Sequence, residues 1–508
     1  MMQEWSQAVY KFLSSPKFFW IVLGVFVFQA SWIALSALYP MAFDEAYHFE
    51  TTSIYAEQWS PFLSEHPDNA EGLAAVHRYP SYLFHYFMSF PLRIAQMATD
   101  SETAQIIFLR FLNIGMVAGG LVLFRRLFKK FGVSSALSSV GILFFTLIPI
   151  VPLLAAHINY DNLLLLLIPW MLLLMHGIFT QLKRQDLPLQ SLLALGILIL
   201  VSGIVKYAML PILLVMAVFV AVLLVRYMRN LPMSEVRAKI KSSWQNMRKS
   251  MRIALPLLFA ISGILAFERY GINLIEYGAL VPACDDVISY EECLEFGPFA
   301  RNQAYLADVD PEFTPSRLEH TQIWLGGMWY RTLFMINGDV AEDRYQNYPP
   351  LPIMAAGFST IFLLGSIAII RYWRYLFWGK PFNLMLISIV AFYSAVLLQT
   401  NYSSYIEYGR TAALNGRYLL LVFPMLIILM SLAASKLLAG RDNLKLAGFA
   451  IGLVMILQGG GLISFISQSS DTWYWPEPVV QTVNETAQSA IKPLVYGSQE
   501  RHLEFIPH

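Results

Sequence analysis

Eleven runs of predominantly apolar residues, each near the roughly 20 needed to cross a bilayer as a helix, divide this chain. They lie near 18–39, 104–124, 136–155, 162–180, 187–205, 208–225, 253–271, 351–370, 382–400, 418–435 and 444–465. Lipid offers backbone groups no hydrogen-bond partner, so runs of this kind leave one economical solution, helices that satisfy themselves. The expected fold class is an all-α polytopic membrane protein with about 11 transmembrane helices. Charge agrees: 14% of the 508 residues are Asp, Glu, Lys or Arg, against about 25% in soluble domains. A net charge of +1 and the lack of a basic stripe with interleaved aromatics give no reason to expect nucleic acid as a partner.

Basic residues orient the spans, because Lys and Arg collect on the cytoplasmic side. With the N-terminus cytoplasmic, the inside segments carry Arg125, Arg126, Lys129, Lys130, Lys183, Arg184, the basic run from Arg226 to Arg252, Arg371, Arg374, Lys380, Lys436, Arg441 and Lys445. Acidic residues fall overwhelmingly on the other side, notably in 40–103 and 273–349. A twelfth stretch, Pro80 to Ala98, has a short apolar core and holds His85, Pro91 and Arg93. If it crossed, every later basic loop would face outward, so it reads as a helix in the membrane interface. The first run is span-length and lacks a small-residue cleavage motif, so no cleavable signal is expected. The resulting plan is a membrane core over 1–271 with an exterior first loop at 40–103, an exterior loop region at 272–350, C-terminal spans over 351–465 and an exterior tail at 466–508. Cys284 and Cys293, the two cysteines of the chain, both fall outside and are expected to form a disulfide. Trp473-Tyr-Trp475 reads as an interfacial aromatic anchor. The sequons at Asn401 and Asn484 are common chance tripeptides and identify no source.

Under this topology the chemically versatile residues share one face. Asp44, Glu45 and His48 follow the first span, and His77-Arg78-Tyr79-Pro80 closes the same loop. His157-Ile-Asn-Tyr-Asp161-Asn162 joins the third and fourth spans, and Lys206-Tyr207 interrupts the fifth and sixth. Glu407, Arg410 and Asn415-Gly-Arg417-Tyr418 join the ninth and tenth. Each has an ordinary reading as well. Asp44-Glu45 can be a solvated loop start, Asp161-Asn162 a helix cap, Lys206 a snorkelling side chain, and Arg410 and Arg417 nonspecific headgroup contacts. His85 and His176 read as packed or interfacial side chains. The shared face carries more weight than any one motif.

A carboxylate pair at a bilayer face suits an enzyme whose substrate is lipid-borne. If a sugar is linked through phosphate to a polyprenol, the phosphate leaving group needs fixed cations near the membrane plane. Lys206, Arg410 and Arg417 are the candidates. The acceptor hydroxyl needs a carboxylate to take its proton, and Asp44 stands where that is required. Glu45 or Asp161 can assist, or Asp44 and Asp161 can hold a divalent cation, Mg or Mn, through hard oxygen ligands. His48, Arg78, Tyr79 and Asn162 complete the candidate substrate-binding set. No His/Cys spacing suggests a structural metal.

Pro40-Met-Ala-Phe-Asp44-Glu45-Ala-Tyr47 after the first span, the interfacial first loop and the second exterior acid at Asp161 resemble the GT-C-type, polyprenyl-phosphate-sugar-dependent glycosyltransferases. That group contains the protein O-mannosyltransferases and the bacterial aminoarabinose transferases of lipid A. The resemblance covers roughly residues 1–210. Gly416-Arg417-Tyr418-Leu-Leu with Pro424 is similar to a segment of bacterial membrane proteins in the same broad class. The family resemblance implies Asp44, with Glu45 beside it, as the base, and Asp161 as the second-loop acid by location. It also implies a polyprenyl-phosphate-linked donor, a glycan, lipid or protein acceptor, and a bacterial plasma membrane. Two departures stand out. Many relatives continue Ala-Arg-Tyr where this chain has Ala46-Tyr47-His48, and 272–350 resembles no familiar soluble module. Rival readings are a lipid-linked oligosaccharide polymerase or ligase, which shares the interfacial chemistry, and a transporter or flippase. The last should place charges or broken helices near the midplane of two related halves, and no internal repeat is visible.

Overall fold

The computed structural model describes residues 2–496 apart from Phe43, Ser64, Asp68, Asn230, 334–351, Ala412 and Ala413. The end of the 272–350 region, from 334, and the tail from 497 lie outside the described residues. Among the described residues, eight helices are long and apolar enough to cross a membrane: Pro16–Ser36, Glu102–Lys130, Tyr160–Lys183, Tyr207–Met228, Lys249–Tyr277, Ile353–Arg371, Pro381–Tyr408 and Leu444–Gln468. Shorter apolar helices, Ser135–Thr146, Leu189–Val205 and Phe423–Leu437, fall on the three remaining apolar runs. Trp20, Leu257, Ile264, Leu363 and Ile370 lie more than half exposed on these helices. Such a surface is a liability in water and is what a bilayer solvates, so the chain is an all-α, multi-pass membrane protein.

Two of the expected spans are not continuous. The run 136–155 stops at Thr146 and restarts as Ile150–Ala155, because Pro149 and Pro152 supply no N–H to the turns before them. The last run stops at Leu457 and restarts at Leu462, through Gly461 in the left-handed region at φ +57°. The two breaks meet. Gly461 N–H donates to Leu147 O at 2.7 Å, and Leu462 N–H donates to Gln29 Oε1 at 3.0 Å. Backbone groups released by each break thus find partners inside the protein, as a low-dielectric environment demands.

Small residues let the central helices touch. Glu102–Lys130 packs along Tyr160–Lys183, and a Cβ on Gly120 would stand 2.3 Å from Leu165 O. That is backbone-to-backbone contact of the kind small residues allow in membranes.

One end of the bundle carries the elaborated loops. Glu45–Ala56 and the 16-residue Leu83–Ala98, the stretch expected in the interface, lie side by side. Arg93 ties them, donating to Ala56 O at 2.9 Å and Tyr55 O at 2.8 Å, so it caps the C-terminus of the first helix. Leu83, Phe84, Met88 and Leu92 face inward while Ile94 and Met97 are exposed. Cys284 and Cys293 are joined in a disulfide with Cα atoms 5.9 Å apart. Helices Gly297–Ala307 and Arg317–Leu333 follow. The tail folds back onto the first span: Leu38 N–H donates to Trp473 O, and Trp475 N–H to Ser36 O. Trp473 and Tyr474 are fully buried and Trp475 nearly so, which corrects the expected surface anchor to an internal brace. Asn484 is buried too, donating to Ser36 Oγ at 3.0 Å. The basic loops gather at the opposite end, where Lys239 donates to Gln185 O and Lys380 and Lys436 both sit over Tyr375.

Candidate active site

Four charged side chains from four distant segments form one cluster. Arg417, from the start of the short helix Arg417–Leu420, donates to Asp44 Oδ2. Lys206, at the break between Leu189–Val205 and Tyr207–Met209, donates to Asp161 Oδ1 at 2.6 Å. Tyr160 and Tyr418 bind the pairs together, since the Lys206 ammonium lies 4.5 Å from the Tyr160 ring and 5.0 Å from the Tyr418 ring. Two acids and two cations leave the cluster formally neutral. That balance lets the charges be covered by protein at tolerable cost.

Exposure divides the four. The side chains of Lys206, Asp161 and Arg417 are at most 4% exposed, whereas Asp44 is half exposed at 51%. Asp44 occupies the N-cap position of Glu45–Ala56 yet makes no capping bond with its side chain. Its backbone is left-handed at φ +59°, a conformation Asp tolerates better than most residues, and its carboxylate is turned to Arg417. Burial opposes ionisation of Asp44. The Arg417 guanidinium, with smaller help from Lys206 and Arg301, more than offsets this, so the Asp44 pKa lies below the usual carboxylate value. Burial likewise pushes the Lys206 ammonium below the usual lysine range, against the pull of Asp161.

The loop that delivers Arg417 is clamped from behind. A Cβ on Gly416 would meet Arg331 O at 2.3 Å and Thr332 N at 2.4 Å, so only glycine lets this backbone lie against Arg317–Leu333. Arg331 donates to Leu414 O, and Asn415 Oδ1 accepts from Arg417 N–H at 3.1 Å.

Glu45, the expected partner of Asp44, faces elsewhere. It is 1% exposed and takes a two-pronged bond from Arg110, at 2.8 and 2.7 Å, with Ile158 N–H at 3.2 Å. Burial resists its charge, but Arg110, together with His157 and the Ile158 N–H, outweighs burial and holds its carboxyl below the usual range. Arg110 also donates to Ala34 O and Ala37 O, so one guanidinium fastens the first span, the first loop and the loop before Tyr160. Arg110 and the nearby Asn113 were not among the sequence candidates. The usable signal was a cation inside an otherwise apolar span, which is rare and needs a reason.

His48 is buried, and its hydrogen bonds define its tautomer. Asn159 Oδ1 accepts from Asp161 N–H at 2.9 Å, so its amide presents N–H to His48 Nε2 at 3.1 Å. With Nε2 accepting, His48 carries its proton on Nδ1 and donates to His85 Nε2 at 2.8 Å. Burial holds both imidazoles below their ordinary pKa and neutral. The chain His85–His48–Asn159 thereby orients the first turn that presents Asp161. Asn162 is a buried strut, donating to Asn113 Oδ1, Leu154 O and His157 O.

The remaining sequence candidates divide. Tyr79 packs edge-on to Tyr207 at 5.9 Å and to Tyr47 at 6.4 Å, beside the cluster. Arg78 is held by Glu268, within a π-helical turn at Phe267–Gly271. Arg410 is not brought into the cluster but pairs with Asp308 on the surface, over the Tyr305 ring. Asp44 and Asp161, the possible cation ligands, each already pair with a basic side chain. Among the described residues no group of three or more His, Cys, Asp or Glu is gathered where a metal ion would sit. Compared with protein-family models and with curated proteins, the chain matches none.

Proposed function

We propose that this protein is an integral membrane glycosyltransferase with eleven spans. It moves a sugar from a polyprenyl-phosphate donor to an acceptor hydroxyl or amine at the exterior face of a bacterial plasma membrane. What carries the reading is the neutral cluster of Asp44, Asp161, Lys206 and Arg417, drawn from loops far apart in sequence. A donor with a lipid tail and an anionic leaving group needs cations at the bilayer edge and a carboxylate open to the acceptor, and the cluster holds both.

In the reaction the acceptor oxygen forms a bond to the anomeric carbon as the bond from that carbon to the phosphate oxygen breaks. The acceptor proton goes to Asp44, the exposed acid, and the electron pair stays on the phosphate facing Arg417 and Lys206. A single displacement inverts the anomeric centre. At rest Arg417 is engaged by Asp44, so an arriving phosphate competes for it. Losing that partner restores basicity to Asp44 at the moment it is needed. Glu45 serves through Arg110 as a structural fastener.

Transport of a lipid-linked saccharide is the second reading, favoured by the two broken helices that meet where Gly461 donates to Leu147 O. Polymerisation or ligation from a pyrophosphate-linked donor draws on the same cations. Mass spectrometry of envelope glycans and glycolipids from a deletion strain separates them. A glycosyltransferase leaves a product one sugar short; a transporter leaves intact lipid-linked saccharide accumulated inside. An unchanged envelope contradicts the proposal.

A further inference from the structure

We infer that the cavity beside Tyr79 is the acceptor subsite and that it takes a neutral saccharide; this rests on the glycosyltransferase reading above. The cavity holds about 420 Å³, within the roughly 300–1,000 Å³ of small-molecule sites. Its walls come from three exterior segments: Arg78 and Tyr79 of the first loop, Phe299 and Asn302 of helix Gly297–Ala307, and Glu407 and Tyr408 at the end of Pro381–Tyr408. Cys284 lines it as well, so the disulfide closes the loop over one side.

The cavity adjoins the charged cluster. Tyr79, on its wall, touches Tyr207, the neighbour of Lys206, and Tyr47, three positions after Asp44. Phe296, also on the wall, lies 6.2 Å from Tyr47. Arg301, in the same helix as Asn302, is close enough to favour the charge of Asp44. A ligand seated here therefore reaches toward the half-exposed carboxylate.

The lining chemistry selects the class. Sugar hydroxyls donate and accept at once, and the wall offers both: guanidinium donors, amides of Asn302 and Gln303, the Glu407 carboxylate and the Tyr408 hydroxyl. Tyr79, Phe296 and Phe299 present flat apolar faces for the C–H side of a pyranose ring. Charge rejects a second phosphate: Arg78 is already paired with Glu268, while Asp285 and Glu407 add two acids. The donor phosphate is thus directed to Arg417 and Lys206, and an uncharged ring to this cavity.

The test uses the full-length protein in lipid nanodiscs on a printed array of neutral and anionic di- to tetrasaccharides and short peptides, with no donor present. Saccharide binding confined to neutral structures is expected. It should weaken at least tenfold in Asn302→Ala and Glu407→Gln, each checked for an unaltered melting temperature, and persist in Asp44→Asn. Preference for peptides or anionic glycans, no binding at all, or binding indifferent to both cavity substitutions overturns the assignment. Failure of the glycosyltransferase reading appears separately, as envelope glycans and glycolipids left unchanged in the deletion strain.

Discussion

Arg417 donates to Asp44 across 373 positions of sequence, and the acid it engages is the exposed member of a buried charge cluster. Each partner restrains the other. Asp44 shields a cation from water, and Arg417 keeps the acid ionised but weakly basic until an anion replaces it.

Asp44→Asn keeps the size of the side chain and its place beside Arg417 but cannot take a proton. Transfer of radiolabelled sugar from lipid-linked donor into the envelope fraction should fall about 10²–10⁴-fold, with protein level and insertion unchanged. Turnover within a few-fold of wild type removes Asp44 as base.

Removing the guanidinium moves the acid limb of the pH profile. Because Arg417 holds the Asp44 pKa down against burial, the proposed base stays ionised to lower pH in the wild-type protein. In Arg417→Gln burial is opposed only by the smaller effects of Lys206 and Arg301, the Asp44 pKa rises, and the acid limb of kcat/KM shifts to higher pH. The basic limb, set by the lowered Lys206 pKa, should also move to higher pH, because Arg417 is one of the charges that holds that pKa down. An acid limb that does not move contradicts the coupling.

Glu45→Gln should act on stability. It leaves the Arg110 guanidinium buried without a counter-charge, a loss of about 3–5 kcal/mol, seen as a lower melting temperature in detergent. Pairing it with Arg110→Met removes the orphaned charge and should recover most of the loss. An unchanged melting temperature in the single variant contradicts the fastening role.

Gly416→Ala forces a methyl group into the Arg331 backbone and must displace the loop that carries Arg417. Donor KM should rise at least tenfold, with a stability loss of about 1–3 kcal/mol. Wild-type donor KM would show that the close approach does not position Arg417.

Apolar run length made the helices readable, since lipid imposes one requirement along a whole span. The breaks at Pro149 and Gly461 were less so, because each depends on the other to satisfy its freed backbone. At the site, Asp44, Asp161, Lys206 and Arg417 were individually visible as polar residues at apolar boundaries. Their pairing was not, since it follows from packing between segments 45 and 373 residues apart. Glu45 looked like a twin of Asp44. One step further along the chain, in the first turn of a helix, its side chain points into the bundle toward Arg110, a residue hidden in an apolar run.

The central claim is that these loops meet at one exterior face. Both native cysteines are in a disulfide, so single thiols introduced as Glu57→Cys, Asp308→Cys, Glu477→Cys, Gln185→Cys and Arg229→Cys can be labelled in spheroplasts with a membrane-impermeant maleimide. The first three should label without permeabilisation and the last two only after it. Any mixing of sides among the first three would contradict a single exterior site.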